Sequence, residues 1–163
     1  MPISLFTESV RQTYLQRAAE LINQGESLKQ LLLKSTGGLA LAGLIIFPPV
    51  LVFGDTLFTL VLGEKWTGAG EFAQILSPFL FFMFIQGPSG ATYIVLQKQH
   101  ILLKLHSMST VLIIGTFLVS FTYSLEPKAT LVFFSAMASL MSIIVIAIAI
   151  ALSRTETSPG DMR

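Results

Sequence analysis

Long apolar stretches separated by short polar turns make up most of this chain. A spanning helix needs about 20 consecutive, mostly apolar residues. Stretches that meet this requirement run over about 31–53, 69–96, 101–123 and 129–152. The pattern therefore predicts an all-α integral membrane bundle with four transmembrane helices, which together form a transmembrane region over 27–152.

The first 26 residues are less apolar and predict a partly amphipathic helix followed by a cytoplasmic linker. Arg11, Arg17 and Glu20 interrupt its apolar positions, so it lacks a run long enough to cross a membrane. It can be interpreted as a helix lying in the membrane interface. The alternative is that it is the cytoplasmic end of a membrane helix whose first part is missing. The stretch 153–163 is predicted to be a disordered cytoplasmic tail.

The second span carries a polar stripe. Gln86, Ser89, Tyr93 and Gln97 recur every three or four residues, so they share one helix face. Such a face should point at protein or water rather than lipid. These side chains either hydrogen-bond neighbouring helices or line a water-filled cavity. Amides and hydroxyls in a cavity would suit a hydroxyl-rich cargo, because they match sugar hydroxyls without the cost of desolvating a charge.

Proline and glycine predict bends within the apolar stretches. Proline removes an amide donor and bends or ends a helix, and a bent helix of this kind is typical of transporters. The predicted kinks lie at Pro48, Pro49, Pro78, Gly87 and Pro88.

Small residues predict where helices approach closely. Gly38 and Ala42 are four residues apart in the first span. The last span carries a seam of small residues at Ser135, Ala138, Ser139 and Ser142.

The composition excludes a water-soluble domain. Hydrophobic residues make up 53% of the chain and charged residues 12%, against roughly 25% charged in soluble domains. The net charge of +1 gives no reason to expect a nucleic-acid partner. The chain has no Cys, which excludes disulfides and thiolate metal sites.

No known catalytic motif is present, so the chain is predicted not to be an enzyme and to use no cofactor or metal. His106 is expected to be the most buried ionisable side chain, either snorkelling or hydrogen-bonded to a neighbouring helix, or acting in a proton relay. No Asp or Glu is expected deep inside a span, and ion-coupled pumps usually need one.

Lys and Arg predict the orientation, because cytoplasmic loops are enriched in both. With the N-terminus in the cytoplasm, eight of the ten basic residues fall on the cytoplasmic side. Both termini are therefore predicted to be cytoplasmic. Trp66, Lys98 and Lys104 are predicted to anchor helix ends at the membrane interface.

Several short motifs resemble the C-terminal half of prokaryotic polysaccharide flippases. These are O-antigen and exopolysaccharide translocases of the multidrug/oligosaccharidyl-lipid/polysaccharide exporter superfamily. The resemblance covers about residues 1–123 of this chain. The fourth span of the chain is similar to these proteins only in being hydrophobic. The similar elements are Phe53-Gly54, Gly63–Trp66 with Ala69-Gly70, Gln74–Pro78, Pro88-Ser89 and Val95–Gln99, with Pro2–Ser4 and Tyr14–Glu26 resembling the entry to that half.

The resemblance implies a multi-pass protein of the bacterial cytoplasmic (inner) membrane that acts in O-antigen lipopolysaccharide or exopolysaccharide biosynthesis. Its cargo would be undecaprenyl-pyrophosphate-linked oligosaccharide, moved across the membrane by alternating access. Such flippases have about twelve to fourteen helices in two bundles, and this chain predicts four spans. It is therefore expected to be a fragment of that fold, inactive alone, with membrane lipid as a partner. It would either pair with a separately encoded N-terminal half or be a remnant.

Two other functions remain open. One is an exporter of drugs or lipids from the same superfamily. The other is a self-contained four-helix membrane scaffold, which would need lipid-compatible outer faces.

Overall fold

The fold is known from a computed structural model that describes residues 2–24 and 27–155. Every regular element in these residues is helical. Apart from a single 3₁₀ turn at Glu64–Trp66, the elements are α-helices: α1 (Pro2–Asn23), α2 (Leu28–Leu62), α3 (Thr67–Ile85), α4 (Gly87–Val95), α5 (Gln99–Thr122) and α6 (Pro127–Thr155).

Four of these helical segments are long and apolar enough to cross a membrane: α2, α3 continued by α4, α5, and α6. The N-terminal helix α1 precedes them. The predicted fold class is therefore confirmed, and the chain is an all-α membrane protein.

Helices α2 and α3 form an antiparallel hairpin. Their pairing is shown by the 2.8 Å contact between the hydroxyl oxygens of Thr59 and Thr67, and by the hydrogen bond that Ser77 Oγ donates to the Phe47 carbonyl (3.0 Å). We call the end of the bundle where α2 begins, and where α4 and α6 end, the first end. The opposite end, which holds the turns at 63–66 and 123–126, is the second end.

Helix α6 runs alongside α3 and α4 in the same direction. Glu71 pairs with Lys128 at 2.6 Å near the second end, and the rings of Phe79 and Phe134 pack edge to face at 5.5 Å. The predicted seam of small residues on α6 is confirmed as a packing face, since its members are buried: Ser135, Ala138, Ser139 and Ser142.

The predicted proline kinks have different outcomes. Helix α2 continues beyond the predicted end at residue 53, with Pro48 and Pro49 inside it, and its backbone leaves helical geometry at Phe53 (φ −122°, ψ 20°). Pro78 lies within α3, which continues past it to Ile85, and a kink at Pro78 stays a prediction. The second span is divided between Ile85 and Gly87, beside the predicted kink at Gly87 and Pro88.

Side chains bond the backbone beside the α2 kink. Gln74 Nε2 on α3 donates to the Val52 carbonyl at 3.2 Å. The Thr56 amide donates to Asp55 Oδ1 at 2.7 Å. These bonds matter because an unpaired backbone group in hydrocarbon costs several kcal/mol.

The closest contact between α2 and α3 joins two glycines. A Cβ on Gly70 would lie 2.5 Å from the Gly54 carbonyl oxygen and 2.6 Å from Asp55 Cα. Only residues without a side chain allow the two backbones to approach so closely. The predicted contact at Gly38 is wrong, because Gly38 is exposed and a Cβ there would meet nothing within 4 Å.

The core has two parts. The larger lies towards the first end, where Tyr14 and Ala18 of α1 pack with residues of α2, α4 and α6 such as Leu32, Tyr93 and Ala149. A smaller cluster of Leu39, Phe84 and Ile85 lies between α2 and the α3–α4 break.

Helix α5 is peripheral, and Ser120 is its buried residue. His106 is exposed, so the expectation that it is the most buried ionisable group is wrong. Trp66 lies in the turn at the second end and is 52% exposed. Lys98 and Lys104 flank the start of α5, and interfacial anchoring by these three residues stays a prediction.

The C-terminal end of α6 also differs from the prediction. Ser153 is buried inside α6, which extends to Thr155, so a disordered tail beginning at 153 is wrong for its first three positions. The rest of the predicted tail, 156–163, lies outside the described residues.

The glycine contact predicts a position-specific response to a single methyl group. We expect Gly70→Ala to lower the free energy of unfolding by about 2 kcal/mol, because backbone atoms on α2 cannot move aside cheaply. Gly68→Ala, two residues away on α3, would meet nothing within 4 Å and should be neutral or stabilising by up to about 1 kcal/mol. Thermal unfolding of both variants in detergent micelles measures the difference; equal effects would contradict the contact.

Candidate functional site: the polar face of α4

Helix α4 is a short helix rich in small and polar residues, with the sequence GPSGATYIV. Pro88 stands in its first turn, where a missing amide is tolerated. Proline cannot supply the hydrogen bond that would continue α3. The Gln86 amide still bonds the Phe82 carbonyl at 3.1 Å, which completes the last turn of α3. The break is thus a consequence of Pro88, with Gln86 as the joint.

Tyr93 ties α4 to α6. Its ring is fully buried, and its hydroxyl donates to the Val145 carbonyl at 2.9 Å. A buried phenol needs such an acceptor because an unpaired polar group in an apolar interior is costly. Tyr93 therefore fixes the spacing of these two helices.

Thr92 ties α4 to α1. Its hydroxyl lies 2.9 Å from the Pro88 carbonyl and 2.6 Å from the Tyr14 hydroxyl. Since a threonine hydroxyl has a single hydrogen, which it donates to Pro88, Tyr14 must be the donor to Thr92. Burial raises the pKa of Tyr14 and the bond to Thr92 lowers it in part; the net rise keeps the phenol protonated at neutral pH.

Ser89 is the unusual member of this face. Its side chain is fully buried, and its hydroxyl has no hydrogen-bond partner. Buried hydroxyls without a partner also occur on Thr36 of α2, Ser120 of α5 and Ser139 of α6. A buried unsatisfied hydroxyl costs about 1–3 kcal/mol, so this packing is not optimised for stability alone.

Gln97 lies in the turn that follows α4, and its backbone adopts the left-handed conformation with a φ of 54°. The Lys98 amide donates to the Tyr93 carbonyl at 2.8 Å, the bond that closes a Schellman-type helix end. Gln97 is exposed and Gln86 is half-buried.

The four residues predicted to line a cavity therefore do not share one environment. Ser89 and Tyr93 have no surface that water can reach in this structure, and of the two only Tyr93 hydrogen-bonds a neighbouring helix. Gln86 lies at the break and Gln97 in the turn. A cavity-lining role stays a prediction for all four.

Sequence reasoning missed the partners of this face. Neither Tyr14 nor Thr92 was predicted to take part in this face. Thr92 follows Ser89 by three residues, so the same spacing rule could have found it. Tyr14 lies 78 residues away in sequence, and no local pattern indicates such a contact.

The site offers neutral hydrogen-bonding groups. Within the described residues, no group of three or more His, Cys, Asp or Glu is placed to hold a metal ion. Hydroxyl and carbonyl groups of this kind bind and orient polar ligands through hydrogen bonds.

Comparison of the chain with protein-family models, curated proteins and solved structures finds no match.

The Tyr14–Thr92 bond predicts a measurable coupling between α1 and α4. In a double-mutant cycle of Tyr14→Phe and Thr92→Val, we expect a coupling energy of about 1 kcal/mol, the usual range for such a bond in a membrane protein. Unfolding in mixed micelles by denaturant measures it. Tyr123→Phe is a matched control because Tyr123 is 74% exposed and should not change stability. Additive effects of the two substitutions would show that the bond does not hold α1 in place.

Proposed function

We propose that this chain is part of a membrane carrier that moves lipid-linked oligosaccharide between the leaflets of a bacterial inner membrane. The observation that carries the proposal is the interruption at Gln86, which divides the second spanning segment into α3 and α4. Discontinuous helices of this kind form the substrate sites of many transporters. A broken helix is tolerated inside a membrane where its freed backbone groups are buried in protein or line a water-filled cavity.

The contacts on either side of the break support a hinge. Helix α3 is bonded to α2 through Ser77 and Gln74. Helix α4 is bonded to α1 and α6 through Thr92 and Tyr93. Helix α6 also pairs with α3 through Glu71 and Lys128, so a rotation about Gln86 requires the contact between α3 and α6 to slide or open.

The resemblance to polysaccharide flippases supplies the substrate class. Its motifs coincide with the irregular positions of the fold: the kink at Phe53, the turn at Gly63–Trp66, the break at Pro88, and the turn after Val95. In the proposal, undecaprenyl-pyrophosphate-linked oligosaccharide is the cargo. The four spans would form one part of a carrier whose remaining helices, such as a separately encoded N-terminal half, complete the cavity.

The distribution of basic residues supports an orientation with both termini in the cytoplasm. In the fold, Lys29, Lys98 and Arg154 lie at the first end, whereas Lys65 and Lys128 lie at the second. The first end would therefore be cytoplasmic.

Reporter fusions test this orientation. Alkaline phosphatase, which is active outside the cytoplasm, should be active when fused after Glu126 and inactive when fused after Gln97. A fluorescent protein that folds only in the cytoplasm should give the opposite pattern. The reverse result for both reporters would contradict the orientation.

A membrane scaffold is the second candidate, and a specific observation favours it. Ser89 and Tyr93 are fully buried and water cannot reach them, as expected if the polar face of α4 only holds helices together. A carrier would expose this face to water in one of its states, and a scaffold would not.

Deletion of the gene tests the carrier. We expect loss of surface polysaccharide and accumulation of lipid-linked oligosaccharide on the cytoplasmic leaflet, both restored by the wild-type gene. Ser89→Cys in the complementing gene then separates the candidates: a carrier should allow slow labelling by a water-soluble thiol reagent, faster when cargo is synthesised.

The labelling experiment has one matched control. Ile94→Cys replaces a side chain that is 41% exposed on the outer face of α4, and its labelling should not depend on cargo. An unchanged polysaccharide profile after deletion would contradict the carrier. Complete protection of Ser89→Cys with and without cargo would favour the scaffold.

A further inference from the structure

A second polar site lies near the second end of the bundle, where α2 meets the start of α3. It is a shallow depression of about 280 Å³ lined by Asp55, Thr56, Thr59, Leu60 and Thr67. The polar face of α4 contributes nothing to it. The site is therefore independent of the proposed function.

Asp55 gives the depression a negative charge. Its Oδ1 accepts from the Thr56 amide (2.7 Å), the Thr56 hydroxyl (3.2 Å) and Gln74 Nε2 (3.4 Å). In the described part of the chain no Lys or Arg pairs with this carboxylate, and its other oxygen accepts no bond. That oxygen is free to bind a donor.

Thr59 and Thr67, which lie beside Asp55, have fewer hydroxyl hydrogens than short oxygen–oxygen contacts. Thr59 Oγ1 lies 2.7 Å from the Asp55 carbonyl, and Thr67 Oγ1 lies 2.8 Å from the Glu64 carbonyl. The two hydroxyl oxygens are also 2.8 Å from each other. Two hydrogens cannot make three bonds, so when each hydroxyl donates to its carbonyl both oxygens present lone pairs. The depression thus has an excess of acceptors.

We propose that this depression binds the primary ammonium group of an aminophospholipid such as phosphatidylethanolamine. An ammonium group has one positive charge and three donors, which suit a carboxylate flanked by hydroxyl lone pairs. Leu60 lines the depression and is 80% exposed, and the neighbouring Val61 is 75% exposed. These apolar side chains fit the glycerol and upper acyl region of a lipid whose headgroup lies in the depression.

The test uses the full chain in nanodiscs with matched acyl chains. We expect its unfolding temperature to rise as phosphatidylethanolamine replaces phosphatidylcholine, and to rise less with the N,N-dimethyl headgroup, which has fewer N–H donors. Asp55→Asn should abolish the rise. Glu64→Gln should retain it, because Glu64 is an exposed carboxylate of the neighbouring turn that does not line the depression.

A second variant guards against a folding defect in Asp55→Asn. Leu60→Trp fills the mouth of the depression without touching the Asp55 hydrogen bonds, so it too should abolish the headgroup-dependent rise. An equal rise in wild type, Asp55→Asn and Leu60→Trp would overturn the proposal, because the effect would then belong to the bilayer. An equal rise produced by sodium in pure phosphatidylcholine would also overturn it, since the site would then hold a small metal ion.

Discussion

The fold depends on one constraint: inside a membrane, every backbone group released by a bend must find a partner within the protein. The chain bends its spanning helices twice, at Phe53 and at Gln86–Gly87. At the first bend, Gln74 from α3 bonds the Val52 carbonyl. In a water-exposed helix, a water molecule could donate this hydrogen bond instead. The position of Gln74 matters here because lipid tails cannot donate one.

The glycine contact explains why that partner is within reach. Because Gly54 and Gly70 have no side chains, the backbones of α2 and α3 touch just beyond the kink. Gln74 lies one turn further along α3, with its side chain against Gly54. The absence of side chains at Gly54 and Gly70 thus brings Gln74, one turn further along α3, within hydrogen-bonding distance of the α2 backbone.

The sequence was sufficient to predict the elements, and insufficient to predict their partners. Apolar length identified the four spans, and the small seam on α6 was recognised because small residues recur on one face. Pro78 does not end α3, because proline inside a membrane helix is tolerated when neighbouring helices pack around it. Gly38 was misjudged because spacing alone does not say which face of a helix meets another. His106 was misjudged because α5 lies at the edge of the bundle, a property of the topology.

In the candidate site, too, the sequence predicts which residues share a face but not what those residues contact. The period of three to four residues correctly grouped Ser89 with Tyr93, and both are buried on one face of α4. It could not show that Tyr93 bonds a carbonyl 52 residues away, or that Gln97 adopts a left-handed backbone. Long-range contacts and helix ends depend on how the spans are arranged.

The unpaired hydroxyls bear on whether this arrangement is the only one the helices adopt. Thr36, Ser89, Ser120 and Ser139 lie on four different helices, and each hydroxyl is buried without a partner. If the bundle had a single resting structure, replacing each hydroxyl by a methyl group would remove the cost of burying it. A carrier that opens the polar face of α4 to water in another state recovers that cost for Ser89, because water then solvates its hydroxyl. Polar groups that are unpaired in one state and hydrated in another lower the free-energy difference between the two states, which alternating access requires to be small.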